Sequence, residues 1–231
     1  MTEADRIAAA YEKLEERAGR RWDPANRGNQ AILAERRRLT RRMLDRAALL
    51  PLAHRRVLEV GSGSGAELAW LRELGASPSN LFGVDLLEDR VAAAREAYPE
   101  LDFRQANAEH LDFEHGQFDL VLAITVFSSI LDREMARNVA SEIVRVLRPD
   151  GALLWYDVRY DSLSNRNVRG VTAARVRDLF PSMQGELRTL TLLPPLARRL
   201  GPLTAGGYPL LSALPPVRSH LLGLLRKPAV A

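Results

Sequence analysis

The spacing of apolar and polar positions changes period several times along the chain, and each change marks an element. Val57-Leu58-Glu59-Val60 is a short apolar run ending in alternating glycines, the pattern of a strand buried on both faces. Residues 66–74 then take up helical spacing, so a strand, a glycine turn and a helix follow one another. The alternation repeats: strands are predicted at 80–85, 101–105, 118–124 and 151–158, with helices at 88–98 and 132–147. Val139, Ile143, Val146 and Leu147 share one side of the second helix, and Pro149-Asp150-Gly151 is expected to turn the chain into the fifth strand. Ahead of the first strand, 2–18 and 30–50 read as helices separated by a turn-rich segment at 19–29 that holds Trp22, Pro24 and Gly28. Beyond the fifth, a helix at 173–180 precedes strands at 185–193 and 219–227, which enclose a proline- and leucine-rich insertion at 194–217. Strands and helices alternating at this interval specify an α/β fold, a doubly wound Rossmann-like sheet whose carboxyl edge takes the ligand. The expected division is a helical cap over 1–54 and one globular unit over 55–231.

Composition narrows the chemistry. With 231 residues, 46% of them hydrophobic, the chain can bury one full core. It has no cysteine, which excludes disulfides, thiolate catalysis and cysteine-based metal sites. Its four histidines show no ligand spacing, so no metal is expected. Thr2, Glu3, Asp5 and Arg6 take the place of an apolar leader, and no run approaches the roughly 18 apolar residues of a membrane span. A cytoplasmic location is the corresponding expectation. The net charge of +4 is unevenly placed, with twelve arginines between 17 and 56 against Asp23, Glu35 and Asp45. Such a block suits an anionic partner. It equally suits the solvated face of an amphipathic helix, because Ile32, Leu39, Met43 and Leu50 recur at helical spacing among the arginines.

Gly61, Gly63 and Gly65 remove β-carbons where the chain turns sharply, and amides there can meet an anionic group or ribose oxygens. Gly61, Gly63 and Ala66 also satisfy the relaxed dinucleotide pattern, with Asp85 near the distance of a ribose acid. An NAD(P)-dependent oxidoreductase is therefore a competing expectation. Glu59 separates the two: a carboxylate there would repel a pyrophosphate but attract the ammonium and sulfonium of S-adenosylmethionine.

Across 55–157 the chain resembles a class I S-adenosylmethionine-dependent methyltransferase of the bacterial type 11/12 kind. Glu59-Val60-Gly61-Ser62-Gly63-Ser64-Gly65 matches the first motif of that family, and Gly83-Val84-Asp85-Leu86 the second. Gln105-Ala106-Asn107-Ala108-Glu109-His110-Leu111 resembles its G-D-A-x-x-L segment, with Asn107 in place of the aspartate and Ala106 in place of the glycine. Arg145-Val146-Leu147-Arg148-Pro149-Asp150-Gly151 resembles the turn that introduces its fifth strand. The resemblance implies a seven-stranded sheet of order 3-2-1-4-5-7-6 with the last strand antiparallel. It implies S-adenosylmethionine as cofactor, held by Glu59, Gly61, Gly63, Gly65, Asp85, Leu86, Asn107, Ala108 and Ile124. Asp85 would take both ribose hydroxyls, Leu86 would pack on adenine, and the Asn107 carbonyl could still accept from the adenine amine.

Methyl transfer from a sulfonium needs alignment and dryness more than a fixed catalytic group. Candidates lie at the strand ends, 124–129 after the fourth and 155–160 after the fifth: Asp157 could take or orient an acceptor proton, Tyr160 could line the acceptor site, and His110 is a second candidate base. Position 123–128 reads Ala-Ile-Thr-Val-Phe-Ser rather than the N/D-P-P-Y/F box of the family's amide and base methylators, and nucleic acid is disfavoured because no stacking module is present. The looser likeness to methyltransferases of surface-polysaccharide and specialised-metabolite clusters implies O-methylation of a small molecule or saccharide. The competing class is a non-catalytic module that keeps the fold as a scaffold. The apolar insertion leaves four roles open: packing over the sheet edge, capping a hydrophobic acceptor, contact with a lipid-linked substrate at a membrane surface, and a homodimer contact.

Overall fold

The computed structural model describes residues 2–18, 23–162 and 165–229. Two helices, α1 (Glu3–Ala18) and α2 (Arg27–Arg46), precede the sheet. Part of the expected turn between them, including Trp22, lies outside the described residues. α2 starts earlier than its apolar spacing suggests because Asn26 caps it, its side-chain oxygen accepting from the Gly28 and Asn29 amides at 2.9 and 3.2 Å. It stops at Arg46, and Ala48 just beyond takes a positive φ of 54°.

The strands are β1 (Val57–Val60), β2 (Leu81–Asp85), β3 (Asp102–Gln105), β4 (Phe118–Ile124), β5 (Leu147–Val158), β6 (Gln184–Leu192) and β7 (Arg218–Arg226). They form one sheet of order β3-β2-β1-β4-β5-β7-β6, parallel from β3 to β5, with β7 antiparallel to both its neighbours. Between them run α3 (Ala66–Leu71), α4 (Glu88–Ala97), α5 (Arg133–Val146), α6 (Ala173–Leu179), α7 (Pro194–Arg199) and α8 (Thr204–Ser212). This is the expected doubly wound Rossmann-like arrangement, and its strand order reverses between β1 and β4.

One local expectation is corrected. Pro149-Asp150-Gly151 does not end the pairing before β5; the strand already begins at Leu147. Phe118 pairs with Leu147 while Leu120 pairs with Ala152, so the extra residues bulge out. Asp150 takes a φ of 61° there, and its amide reaches the Lys227 carbonyl at 3.2 Å. A bulge is how a ladder accommodates proline, which lacks the donor.

Alternation along the central strands sorts the core into two layers. Leu58, Val60, Val121, Ala123, Leu153 and Trp155 face α5 and α6. Val57, Leu120, Leu122, Leu154 and Tyr156 face the other way, onto Leu44 of α2 and Leu68 and Leu71 of α3. The residues before the sheet share these layers, since Ile7 joins the first and Leu44, Leu49 and Leu52 join the second. Among the described residues no helix is long and apolar enough to cross a membrane.

Candidate functional site

At the reversal point the turns after β1, β2 and β3 are stitched together by main-chain bonds. The Gly61 and Ser62 amides donate to the Val84 carbonyl at 2.8 and 3.0 Å, and the Ala106 amide donates to the Asp85 carbonyl at 2.9 Å. The Asp85 carboxylate finishes the seam by accepting from the Gly63 amide at 2.8 Å and from the Leu87 amide at 3.1 Å. A carboxylate offers about four lone-pair sites, so two bonds leave it able to accept more. Positive φ at Gly61 (71°), Gly63 (50°) and Gly65 (75°) is what this tight path demands. At Gly65 a β-carbon would lie 2.4 Å from Phe103 Cζ, and at Gly61 2.7 Å from Val126 Cγ2.

A cavity opens over this seam on the α5 side of the sheet. Its wall takes Val60 and Gly61 from the first turn, Asp85, Leu86 and Leu87 from the second, Ala106, Asn107 and Ala108 from the third, and Ile124, Thr125 and Val126 from the end of β4. Ser129, Ile130, Met135 and Val139 close one flank, and Ile7 and Tyr11 of α1 close another. Arg90 also lines the cavity, and it and Asp85 are the charged side chains among the lining residues. Arg90 lies with its guanidinium carbon 4.3 Å from the centre of the Tyr11 ring. Thr125 has the left-handed φ of 56°, rare outside glycine, held by its amide bonding the Tyr156 carbonyl at 2.7 Å. Tyr11 Oη and Ser129 Oγ are 3.0 Å apart, and the α1 start is anchored by Glu3 Oε1, which accepts from the Leu131 and Asp132 amides at 2.6 and 3.1 Å.

Of the residues singled out in the sequence, Gly61, Asp85, Leu86, Asn107, Ala108 and Ile124 line this cavity together. Asn107 is partly committed: its carbonyl oxygen accepts from the Glu109 amide at 3.0 Å and its amide nitrogen donates to Glu109 at 3.1 Å. Gly63 and Gly65 shape the turn behind the wall. Glu59 also lies behind it, because Leu58 and Val60 take the cavity face and alternation sends Glu59 to the other. It is 2% exposed, its Oε2 has no partner, and burial with the nearby Glu67 and Asp85 raises its carboxyl well above the ordinary range against the opposing pull of Arg36.

Asp157 does not reach the cavity. It is 1% exposed, its Oδ2 accepting from the Ser128 amide at 2.9 Å and its Oδ1 from the Val158 amide at 2.8 Å. Burial pushes its pKa to about 6. It therefore pins the turn that follows β4, the turn that carries Ser129 to the cavity. His110 and Tyr160 are exposed and stand outside the wall. Sequence reasoning missed Tyr11 and Arg90, and it reached Thr125 and Ser129 only as part of the segment 124–129 at the end of the fourth strand; their convergence depends on contacts such as Tyr11 with Ser129, 118 positions apart. It also missed that Arg36 and Arg37 of the arginine block turn inward. Both pair with Glu67, Arg36 lying 5.0 Å over the Tyr156 ring and Arg37 5.0 Å over the Trp70 ring.

These residues fit S-adenosylmethionine. Asp85 has unused acceptor capacity, the missing β-carbon of Gly61 keeps the floor open, and Leu86, Ile130, Met135 and Val139 offer apolar surface for a purine. Of the nearby acids, the Asp85 carboxylate is the one that offers negative charge to a sulfonium, because burial favours the neutral form of Glu59 and Glu67 is paired with Arg36 and Arg37.

Comparison with known proteins agrees. Residues 58–155 match the family described as a methyltransferase domain. A ubiquinone biosynthesis O-methyltransferase of Thiobacillus denitrificans is 30% identical over 174 residues, 73% of this chain and 68% of that protein. A phthiotriol/phenolphthiotriol dimycocerosates methyltransferase of Mycobacterium ulcerans is 37% identical over 115 residues, 49% of this chain and 41% of that protein. The matched stretch thus spans less than half the length of the mycobacterial relatives. Among solved structures, an S-adenosylmethionine-dependent methyltransferase of Mesorhizobium loti superposes with a TM-score of 0.59 at 18% identity, over 79% of this chain and 95% of that one. The cyclase SpnF superposes with a TM-score of 0.60 at 20% identity, over 84% of this chain and 81% of that one. The fold alone is thus shared with a protein named for another reaction. The chain belongs to the class I S-adenosylmethionine-dependent methyltransferases, and S-adenosylmethionine is its cofactor. This membership sets aside the oxidoreductase reading of the glycines.

Proposed function

We propose that this chain transfers the methyl group of S-adenosylmethionine to a hydroxyl oxygen of a small molecule or sugar. The observation that carries the proposal is the cavity itself, which joins an acceptor-rich Asp85, an apolar wall and the hydroxyls of Tyr11, Thr125 and Ser129 in one space. In this reading Asp85 takes the ribose hydroxyls, Gly61 offers its main chain, and Leu86, Asn107, Ala108 and Ile124 surround the adenine. Gly63 and Gly65 fix the turn, and Glu59 lies behind it, where burial favours its neutral form.

The cofactor supplies an electrophilic methyl with its leaving group already attached. The protein orients the acceptor oxygen in line with the methyl carbon and keeps water away, tasks that suit a wall built largely of Ile, Val, Leu and Met side chains. As the new O–C bond forms, the methyl–sulfur bond breaks to release S-adenosylhomocysteine and the acceptor's proton passes to solvent; the lining hydroxyls orient the acceptor O–H by hydrogen bonding without ionising. The name of the Thiobacillus relative as an O-methyltransferase supports oxygen as the receiving atom.

Incubation with methyl-labelled cofactor and a panel of phenols, sugars, hydroxylated lipids and amines, read by mass spectrometry, tests this. Label on oxygen with matching release of S-adenosylhomocysteine is expected. Label confined to nitrogen or carbon overturns the choice of acceptor atom.

A further inference from the structure

α8 is apolar on both sides. Its buried face presents Thr204, Tyr208 and Leu211 toward Ala197 of α7 and Ala31 and Ile32 of α2. Leu210 of α8 and the leucines that flank the helix, Leu203 in the turn before it and Leu214 just after its end, are 73%, 72% and 53% exposed. The rest of the exposed surface of α8 is Ala205, Gly206 and Pro209, and Leu193 just before α7 and Leu196 within it are also exposed. A helix apolar all round is expected in a core or against lipid, not in water.

The charged side chains of the insertion itself are all positive, and the acid it meets, Glu35 of α2, lies on the inner side of α8 bonded to Tyr208 at 2.8 Å. Residues 193–218 hold Arg198, Arg199 and Arg218 and no acid. Arg218 is spent on the end of α8, its Nε donating to the Ser212 carbonyl at 2.7 Å and its Nη2 to the Ala213 carbonyl at 3.1 Å. Arg199 is exposed next to the leucines, and Arg27, at the start of α2, is exposed where Gly28 packs on Ala197. This close approach fixes the patch to the body: a β-carbon on Gly28 would lie 2.2 Å from the Ala197 carbonyl oxygen. β6 runs parallel to β5, since both oppose β7, so the insertion after Leu192 emerges at the carboxyl edge that also holds the cavity.

We propose that Leu203, Leu210 and Leu214, with Arg27 and Arg199, dock the protein on an anionic lipid bilayer. Leucines enter the acyl boundary while the arginines meet headgroup phosphates, the usual division of labour for an interfacial helix. A second copy of the chain fits less well. A twofold contact through this patch would set arginines against arginines with no acid in the stretch to offset them.

Co-sedimentation of the whole chain with vesicles of phosphatidylglycerol and phosphatidylcholine, and with phosphatidylcholine alone, decides the matter. Binding to the anionic vesicles is expected, weakening as salt rises. The variant Leu203→Ser/Leu210→Ser/Leu214→Ser should bind at least about tenfold less, and Arg199→Gln about fivefold less. These side chains are exposed, so thermal melting should stay near that of the parent and show that the fold is intact. No binding to anionic vesicles, or equal binding by the triple variant, overturns the proposal. So does a concentration-dependent dimer that the leucine changes disperse without any vesicle binding.

Discussion

Replacing Asp157 by Asn separates a catalytic role from a positioning one. The carboxyl is buried among main-chain donors, and burial moves its pKa from the ordinary 3.8 to about 6. An acid with a raised folded pKa holds its proton more tightly folded than unfolded. Its contribution to stability is therefore intact below 3.8 and is lost as pH climbs to about 6. The span between those values corresponds to at most about 3 kcal/mol. Asn cannot ionise and resembles the protonated acid in shape and in offering one acceptor oxygen, so the two proteins should unfold alike at the acid end. Across the window the variant should gain on the parent, reaching an advantage of up to about 3 kcal/mol. Glu59 also has a raised pKa, but it is present in both proteins, so the difference between them isolates Asp157. Urea unfolding at several pH values measures that difference, and methyl transfer by the same samples reports function. Parallel stability curves would refute the burial argument. Loss of turnover with stability and cofactor affinity intact would return Asp157 to the reaction, whereas retained turnover with an unchanged pH profile fits a residue that holds the turn after β4.

Asp85→Ala should weaken cofactor binding by about 1.5 to 3 kcal/mol by calorimetry, the scale of a hydrogen bond to a charged group, and Asp85→Asn by less; unchanged affinity would show that the ribose lies elsewhere. Gly65→Ala, with φ +75° and Phe103 Cζ 2.4 Å from the added atom, should cost more than the about 1 to 2 kcal/mol of backbone strain alone. Gly63→Ala, with φ +50° and its nearest neighbour Arg90 Nη1 at 3.8 Å, should cost the strain only, so equal losses in thermal melts would contradict the packing at Phe103. Lys227 Nζ donates to the Val144 and Leu147 carbonyls at 2.7 and 2.6 Å, and Lys227→Met should lower stability by about 1 to 3 kcal/mol in urea unfolding.

The parts of the site that sequence revealed are those whose partners are close in the chain or set by strand ends. The glycines, Asp85, Leu86 and Asn107 sit at turns where local residue chemistry decides the path, and the sheet order brings those turns together. Glu59 adjoins the glycines in sequence, yet strand alternation, with Leu58 and Val60 facing α5, turns its side chain toward Leu68 and Arg36. Asp157 looked available as a strand-end acid, but the Ser128 amide that occupies it comes from a different turn. Tyr11 and Ser129 belong to segments with no shared motif, so nothing in the periodicity could pair them. The arginine block illustrates the same limit: helical spacing locates α2, yet only packing shows that Arg36 and Arg37 turn inward while Arg41 and Arg42 stay exposed.

The placement of β7 has a consequence for synthesis. β7 is the last strand in sequence, yet it lies between β5 and β6 and pairs with both. While the chain emerges from the ribosome, the motif-bearing half can form its parallel pairs, but one flank of β5 and both flanks of β6, an edge strand paired with β7, stay without hydrogen-bond partners. Such bare flanks invite pairing with neighbouring chains. A fragment cut to the matched residues 58–155 would keep the glycine turn and Asp85 but strand β5 permanently in that condition. It is expected to aggregate, so the segment that identifies the family is not one that can be excised and studied by itself.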